Sequence, residues 1–586
     1  MKKEPAAQAV KSTPVLLIFA ALCALFGSGA IIGITILSNP TLAGILLREL
    51  LPKYVVCFAI LFFLVFGYGS IYPPVAYLTL PILCLACGVR TTFASAAFVN
   101  SLAIALIFAV LSIASIAFCM WAWKTYPMPL KKPHKALPDV LAILGMVAAS
   151  VLSLAIFAVI LHGRLDSLQA GDTAQAQLGQ MLYYLQHSGR PFTTLLAGTP
   201  QSYFLTQFAP LWYLLLPVYV LFGHSMLAVG IALYALMLSA LIPLWRICKK
   251  LSLSSLQSAA ICMALATCPL LIGGASAGGV LGMLSLPLLL WVADALMGKR
   301  PYLALIPLSL CLCIGFEVTV WTVFFCLFFA MSVKRESRRA GLVCTAVSAC
   351  ALIATVIYLA AVQSPVLTGL FAGIGLQLGP KLMFALLLLL PFVFLPLLCK
   401  QIWALVLLIP YVLFHLIADA SVFSGSFCSY AYPAIAAVAL LAAHGATHLH
   451  VACKGVKLSY LLSTAALCVS LLVATPYAAT LHYLYATPTE QERTDTDCIH
   501  ELLDSLPQNA SITASDSLLC DLHDRTWLFP LSQSPEQPQT NVIVLDLRED
   551  AVPSDMEQYT VAYYQRMGYT LRDDLSRQGL LAVLFK

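Results

Sequence analysis

The chain has 586 residues, of which 61% are hydrophobic and only 10% charged, with a mean hydropathy of +0.91. A soluble globular fold of this size is excluded, because roughly 20 apolar residues span a bilayer as a helix and many such runs occur. The formal charge of +6 comes mostly from loop Lys and Arg, so it reads as membrane topology and not as a nucleic-acid footprint.

The first apolar run, Pro14 to Ser38, follows Lys2, Lys3 and Lys11. It is longer than a signal-peptide core and lacks a strong small-residue cleavage pattern, so it reads as a span. Further spans are expected at about 54–70, 75–89 and 97–123, then, after the basic stretch Lys124–Lys135, at about 138–161. A long amphipathic segment, 162–225, follows. Its apolar part, Phe204–Phe222, is interrupted by Pro210 and Pro217, which fits a re-entrant or interfacial helix better than a crossing. The remaining spans are expected at about 226–246, 257–273, 279–297, 301–315, 317–333, 341–362, 382–399, 402–418, 430–449 and 458–477. This is an all-α polytopic membrane protein of about fifteen spans. It divides into a four-span N-terminal extension (1–135), a transmembrane core (136–477) with a large loop, and a polar tail (478–586). With the N-terminus in the cytoplasm, Lys124–Lys135, Arg246, Lys249, Lys250, Lys299, Arg300, Lys334–Arg339, Lys400, Lys454 and Lys457 all fall inside, although Arg48, Lys53 and Arg90 fall outside. The 162–225 loop and the tail are then extracytoplasmic.

The tail reads as a small α/β domain. Asp497–Ser505 is helix-like, Ala510–Ala514 a short strand, and Asn541–Asp546 a buried strand. Met556–Met567 looks helical and Gly579–Phe585 closes with an apolar strand. Most of the 19 cysteines lie in apolar runs and behave as small hydrophobes. Cys498 and Cys520 lie in the tail, where they are either a disulfide or two unrelated thiols.

Few charged residues interrupt the apolar runs. Glu317 is the one acid between Pro301 and Val333, and basic residues bracket that stretch on both sides. If both brackets are cytoplasmic, Glu317 sits at the far tip of a helical hairpin. A carboxylate there is expensive in hydrocarbon, so it either pairs for structure or faces a substrate. The loop carries Asp166 and Asp172. Asp172 lies directly before a helix pattern, which makes it either an N-cap or a catalytic acid; Asp166 is either a solvated loop acid or a second candidate. His444, His448 and His450 have helical spacing, but a solvated interface at the cytoplasmic end is the plainer reading. Trp121, Trp123, Trp212 and Trp245 read as interface anchors.

Four places carry a resemblance: Gly171 and Asp172 with Gln180–Tyr184 and Gly189; Gln207–Pro210 leading to Leu214–Pro217 and Pro243–Arg246; Gly315–Glu317; and, in the tail, Leu506–Ile512 with Gly568 and Tyr569. Over roughly 138–586 the chain resembles the C-type (GT-C) membrane glycosyltransferases. It resembles more closely a bacterial family of multi-span proteins, catalogued as a domain of unknown function, thought to share their fold. The chain departs from that family by lacking a His at Gln207, an acid/His-Pro-Glu cluster near Gly278, and a His before Tyr430. The resemblance implies a GT-C-like helical bundle. It also implies a sugar donor on a polyprenyl phosphate and an envelope glycan, lipid or protein acceptor. A loop aspartate, Asp172 or else Asp166, would deprotonate the acceptor hydroxyl. Glu317 would orient the acceptor or a divalent metal. Arg164, Arg190 and Lys381 are the candidate cations for the lipid phosphate, and Gln207 and Tyr430 further substrate contacts. Two other readings remain open: a catalytically degenerate scaffold of an envelope glycan system, and a transporter of lipid-linked or small substrates.

Overall fold

The computed structural model describes residues 16–25, 27–29, 47–71, 73–93, 98–125, 137–168, 173–196, 199–205, 209–276, 281–332, 335–363, 378–417, 431–452, 456–485, 489–532, 540–548 and 560–586. Seven helices among them are long and apolar enough to cross a membrane: Asn100–Trp121, Asp139–Asp166, Met226–Lys250, Ser255–Gly273, Ser337–Ala361, Tyr432–Leu449 and Leu458–His482. Nine shorter apolar helices accompany them, including Trp212–Leu221, Leu281–Leu296, Pro301–Cys311 and Phe316–Met331. Where the sequence suggests uniform spans, prolines break the helix. Between Leu390 and Ile417 the chain runs as short 3-10 pieces, a single α-turn and a π-helical stretch, with Val393 and Phe394 both left-handed. Pro391, Pro396 and Pro410 each lack an N–H and clash with the preceding turn, which accounts for the irregularity. Within Phe204–Phe222 the α-helix among the described residues is Trp212–Leu221, ten residues long. Trp212 in that helix is buried in the core, not placed as an interface anchor.

The N-terminal extension docks on the far end of the sequence. Its helix Phe98–Thr125 packs along Val456–Tyr485. In the neighbouring helix Pro73–Phe93, Gly88 leaves room for the Leu472 side chain, which a Cβ at that position would approach to 2.4 Å. Helix starts follow ordinary capping chemistry. Ser254 and Gln257 form a reciprocal capping box, as do Thr489 and Glu492 at the first tail helix.

The tail contains the helix Glu490–Asp504 and a five-stranded mixed sheet. Numbering strands along the chain, a loop hairpin pairs β1 (Phe192–Thr193) with β2 (Gln201–Ser202). The tail sheet is β3 (Ile512–Ala514), β4 (Leu528–Pro530), β5 (Val542–Asp546), β6 (Thr570–Leu571) and β7 (Leu581–Phe585), in the order β4-β3-β5-β7-β6. β3 is parallel to both neighbours and β7 antiparallel to both of its own. The continuous apolar text of Val542–Leu545 is what a central strand covered on both faces requires. β4 and β6 were not visible as strands in the sequence, because each is two or three residues long at a sheet edge. Cys498 and Cys520 carry thiols, not a disulfide.

The tail is not self-contained. Its hydrophobic core joins Ile499, Leu503, Leu518, Leu522, Leu528, Val542 and Val583 to Leu168, Ala176 and Leu195 of the 162–225 loop. Sequence reading separates these two regions; packing merges them.

Candidate functional site

The two ends of the bundle differ in charge. At one end Asp294, 2% exposed, receives Arg246 Nε at 3.0 Å and Lys250 Nζ at 2.6 Å. Nearby Lys249 pairs with Asp139 at 3.6 Å and lies over the Trp245 ring. Sequence reasoning passed over Asp294, although an acid inside Leu281–Leu296 is as conspicuous as Glu317. Here the acid is fully paired and ties its own helix to the helix Leu241–Lys250.

At the opposite end the loop, the tail and the tip bearing Glu317 gather. The helix Leu137–Asp166 runs from the Asp139 pair to this end. The loop helix Thr173–Ser188 rests on the tail. Gln180, fully buried, accepts from Thr193 Oγ1 at 2.7 Å and Thr194 N at 2.9 Å, and donates to Arg525 O at 3.1 Å. Tyr184 donates to Thr526 O, and Thr194 Oγ1 donates to Leu528 O. Gly179 leaves room for the His523 ring, which a Cβ would approach to 2.6 Å. His523 Nε2 also lies 3.2 Å from His224 O, and burial pushes its imidazole below the ordinary range.

Two neighbourhoods of candidate residues form at this end. The first surrounds the end of Leu137–Asp166. Asp166 is exposed and Arg164 half-buried. Across from them stand tail residues: Asp521 is held up to about 6 by burial, relieved by His500 at 3.9 Å and by Arg548, and reinforced by the charges of Asp504 and Asp166. Arg548 reaches back to Ser167 O and Leu168 O, each at 3.3 Å.

The second lies among the helices. Glu317 starts the helix Phe316–Ser332 at the tip of the hairpin, as its basic brackets predict. Its Oε1 is buried and, among the described residues, has no hydrogen-bond partner. One turn on, Trp321 is buried with its ring 6.4 Å from that of His415. His415, 1% exposed, stacks on Phe384 at 4.6 Å and neighbours Tyr411 at 5.3 Å. Lys381, 5% exposed and one turn from Phe384, donates from Nζ to Leu416 O at 2.6 Å. The tip also meets the proline-rich segment, through Leu211 N to Cys313 O at 3.3 Å. Trp321, one turn from Glu317, is the link between that acid and the group formed by His415 and Lys381. His415 is the member that sequence reasoning missed, and a lone histidine in an apolar run was its available signal.

Arg190 stands apart from both. It is exposed, with its guanidinium 6.0 Å from the Phe192 ring centroid. Asp172, Gln207 and Tyr430 lie outside the described residues. Among the described residues no group of three His, Cys, Asp or Glu is arranged to hold a metal ion, and the Glu317 neighbourhood offers one carboxylate and one imidazole.

These features define a multi-pass helical membrane protein with a polar α/β tail and candidate polar sites at one end of the bundle. The model of the DUF2079 family, described as a predicted membrane protein, matches residues 164–581, and the chain belongs to that family. Its structure is similar to the crystal structure of ArnT from Cupriavidus metallidurans bound to undecaprenyl phosphate, at 12% identity and TM-score 0.48, covering 75% of this chain and 97% of that one. It is also similar to the Archaeoglobus fulgidus oligosaccharyltransferase tethered to an acceptor peptide, at 13% identity and TM-score 0.36, covering 72% of this chain and 69% of that one. No curated protein matches the chain.

Proposed function

We propose that this protein is an integral-membrane glycosyltransferase of GT-C type, taking a sugar from a polyprenyl phosphate and passing it to an envelope acceptor at the outer face. The observations that carry the reading are the buried Lys381 beside His415 and, separately, the buried carboxylate oxygen of Glu317. Burying a lysine and a carboxylate among helices is costly, and such groups usually serve a substrate path or a site. A lipid phosphate is a ligand that reaches this depth from the bilayer, and the Lys381 ammonium, which donates to Leu416 O, supplies a positive charge for it. The opposite end carries Arg246, Lys249, Lys250, Lys299 and Arg300, which supports the reading of that end as cytoplasmic and of the tail as outside.

In this mechanism a loop aspartate accepts the proton of the acceptor hydroxyl, and the hydroxyl oxygen attacks the anomeric carbon. The bond from that carbon to the lipid phosphate breaks, and the phosphate leaves with the electron pair. The Lys381 ammonium stabilises the charge that develops on it. Glu317 holds the acceptor through the buried carboxylate oxygen. Asp172 is the first choice for the base and Asp166 the second.

The test is transfer from a polyprenyl-phosphate sugar in membranes carrying the protein. Asp172→Asn is expected to abolish it and Asp166→Asn to leave most of it; the opposite pattern moves the base to Asp166. Transfer that survives both substitutions and Lys381→Met removes the enzymatic reading. It would leave a path for lipid-linked substrate without chemistry.

A further inference from the structure

The tail reaches the backbone of the first candidate neighbourhood through the Arg548 side chain. Asp546 ends β5 and is 1% exposed. Its backbone N–H is held by Ser515 Oγ at 2.9 Å, and its Oδ2 accepts from Ser517 Oγ at 2.6 Å. Arg548, two residues on, forms a two-pronged pair with this fixed carboxylate, Nε to Oδ1 at 3.0 Å and Nη2 to Oδ2 at 2.7 Å. A guanidinium locked in this way presents its remaining N–H groups in a set direction. They meet the carbonyls of Ser167 and Leu168, directly after Asp166. Leu168 is itself left-handed, with φ at 51°, and 3% exposed within the tail core. A leucine holds that backbone conformation only where its surroundings fix it. The turn carrying Arg164 and Asp166 is thus gripped twice by the tail, once by packing and once by hydrogen bonds.

We propose that Arg548 is a positioning residue: it holds the Arg164–Leu168 turn, and with it the Arg164 guanidinium as a cation for the lipid phosphate, in the geometry the outer site needs, so that the tail sheet sets the site's activity. This rests on the transfer reading for its activity arm but not for its structural arm. Neither the family match nor the fold assigns a role to the tail, and the order of the sequence places Arg548 and Arg164 at opposite ends of the matched region.

The experiment uses the full-length protein in lipid nanodiscs, with Arg548→Ala, Arg548→Lys and, as a control, Arg572→Ala, which removes an exposed tail pair with Asp574. Amide exchange is followed over residues 161–168, together with donor KM and kcat. Arg548→Ala is expected to speed exchange of the Ser167 and Leu168 amides and to lower kcat, each by about tenfold or more, with KM little changed. Arg548→Lys, which keeps the charge but loses the fork, falls between, and Arg572→Ala matches wild type. If Arg548→Ala does not fold, the Arg548→Lys comparison decides. Wild-type exchange in a folded Arg548 variant, or fast exchange with unchanged kcat, overturns the proposal. A wild-type protein without transfer activity overturns the functional reading instead, and the exchange result then stands alone on whether Arg548 positions the turn.

Discussion

At Gly179 a single hydrogen decides whether the loop and tail can meet. The His523 ring occupies the space a side chain would take, and His523 is also tied to His224. Gly179→Ala therefore forces the buried imidazole to move, at a cost of about 1–3 kcal/mol typical of overpacking; the expected outcome is a lower melting temperature and faster proteolytic release of the tail. Asp521 makes a prediction of opposite character. Its folded carboxyl is raised to about 6 from an ordinary 3.8, so between those values the folded state binds more protons than the unfolded one. Its contribution to stability is greatest below about pH 4, falls as pH rises to about 6, and is flat above that. Asp521→Asn should remove this slope and raise the melting temperature at pH 7, measured against wild type from pH 4 to 7. His500, Asp504, Asp166 and Arg548 all face this group.

Elements differ in how much of them could be read from the chain. The helix Leu137–Asp166 and the hairpin carrying Glu317 were legible because long apolar runs and basic brackets follow directly from bilayer thickness and topology. β5 and β7 were legible because a fully covered strand is uniformly apolar. The broken region from Leu390 to Ile417 was not, since hydropathy is blind to helix type even where three prolines mark the fractures. Nor was His415, whose place beside Lys381 depends on that irregular path. The Gln180 network was also hidden, because its meaning lies in partners such as Arg525 O, 345 positions away. Its prediction belongs to this scale: Gln180→Leu leaves the Thr194 N–H and Arg525 carbonyl unpaired in a buried joint. Roughly 1–3 kcal/mol of loop–tail docking should be lost for each group stranded, seen as a separate, earlier unfolding step of the tail.

For the whole molecule, the loop and the tail form one body, and expressing residues 489–586 alone tests this. Without Leu168, Ala176 and Leu195 the tail core is missing three apolar side chains. Buried leucines contribute about 1.5–3 kcal/mol each, which is comparable with the whole stability of a small domain. The isolated tail is expected to lack a cooperative melt, whereas addition of a segment covering 162–225 restores one; a sharply melting isolated tail would separate the two. This joint also has a consequence for biosynthesis. Thr194 and Leu528 bond across 334 positions, so the ribosome must deliver every intervening membrane segment before the loop's apolar side finds its cover. Until then Leu168, Ala176 and Leu195 lack the apolar cover that the tail supplies.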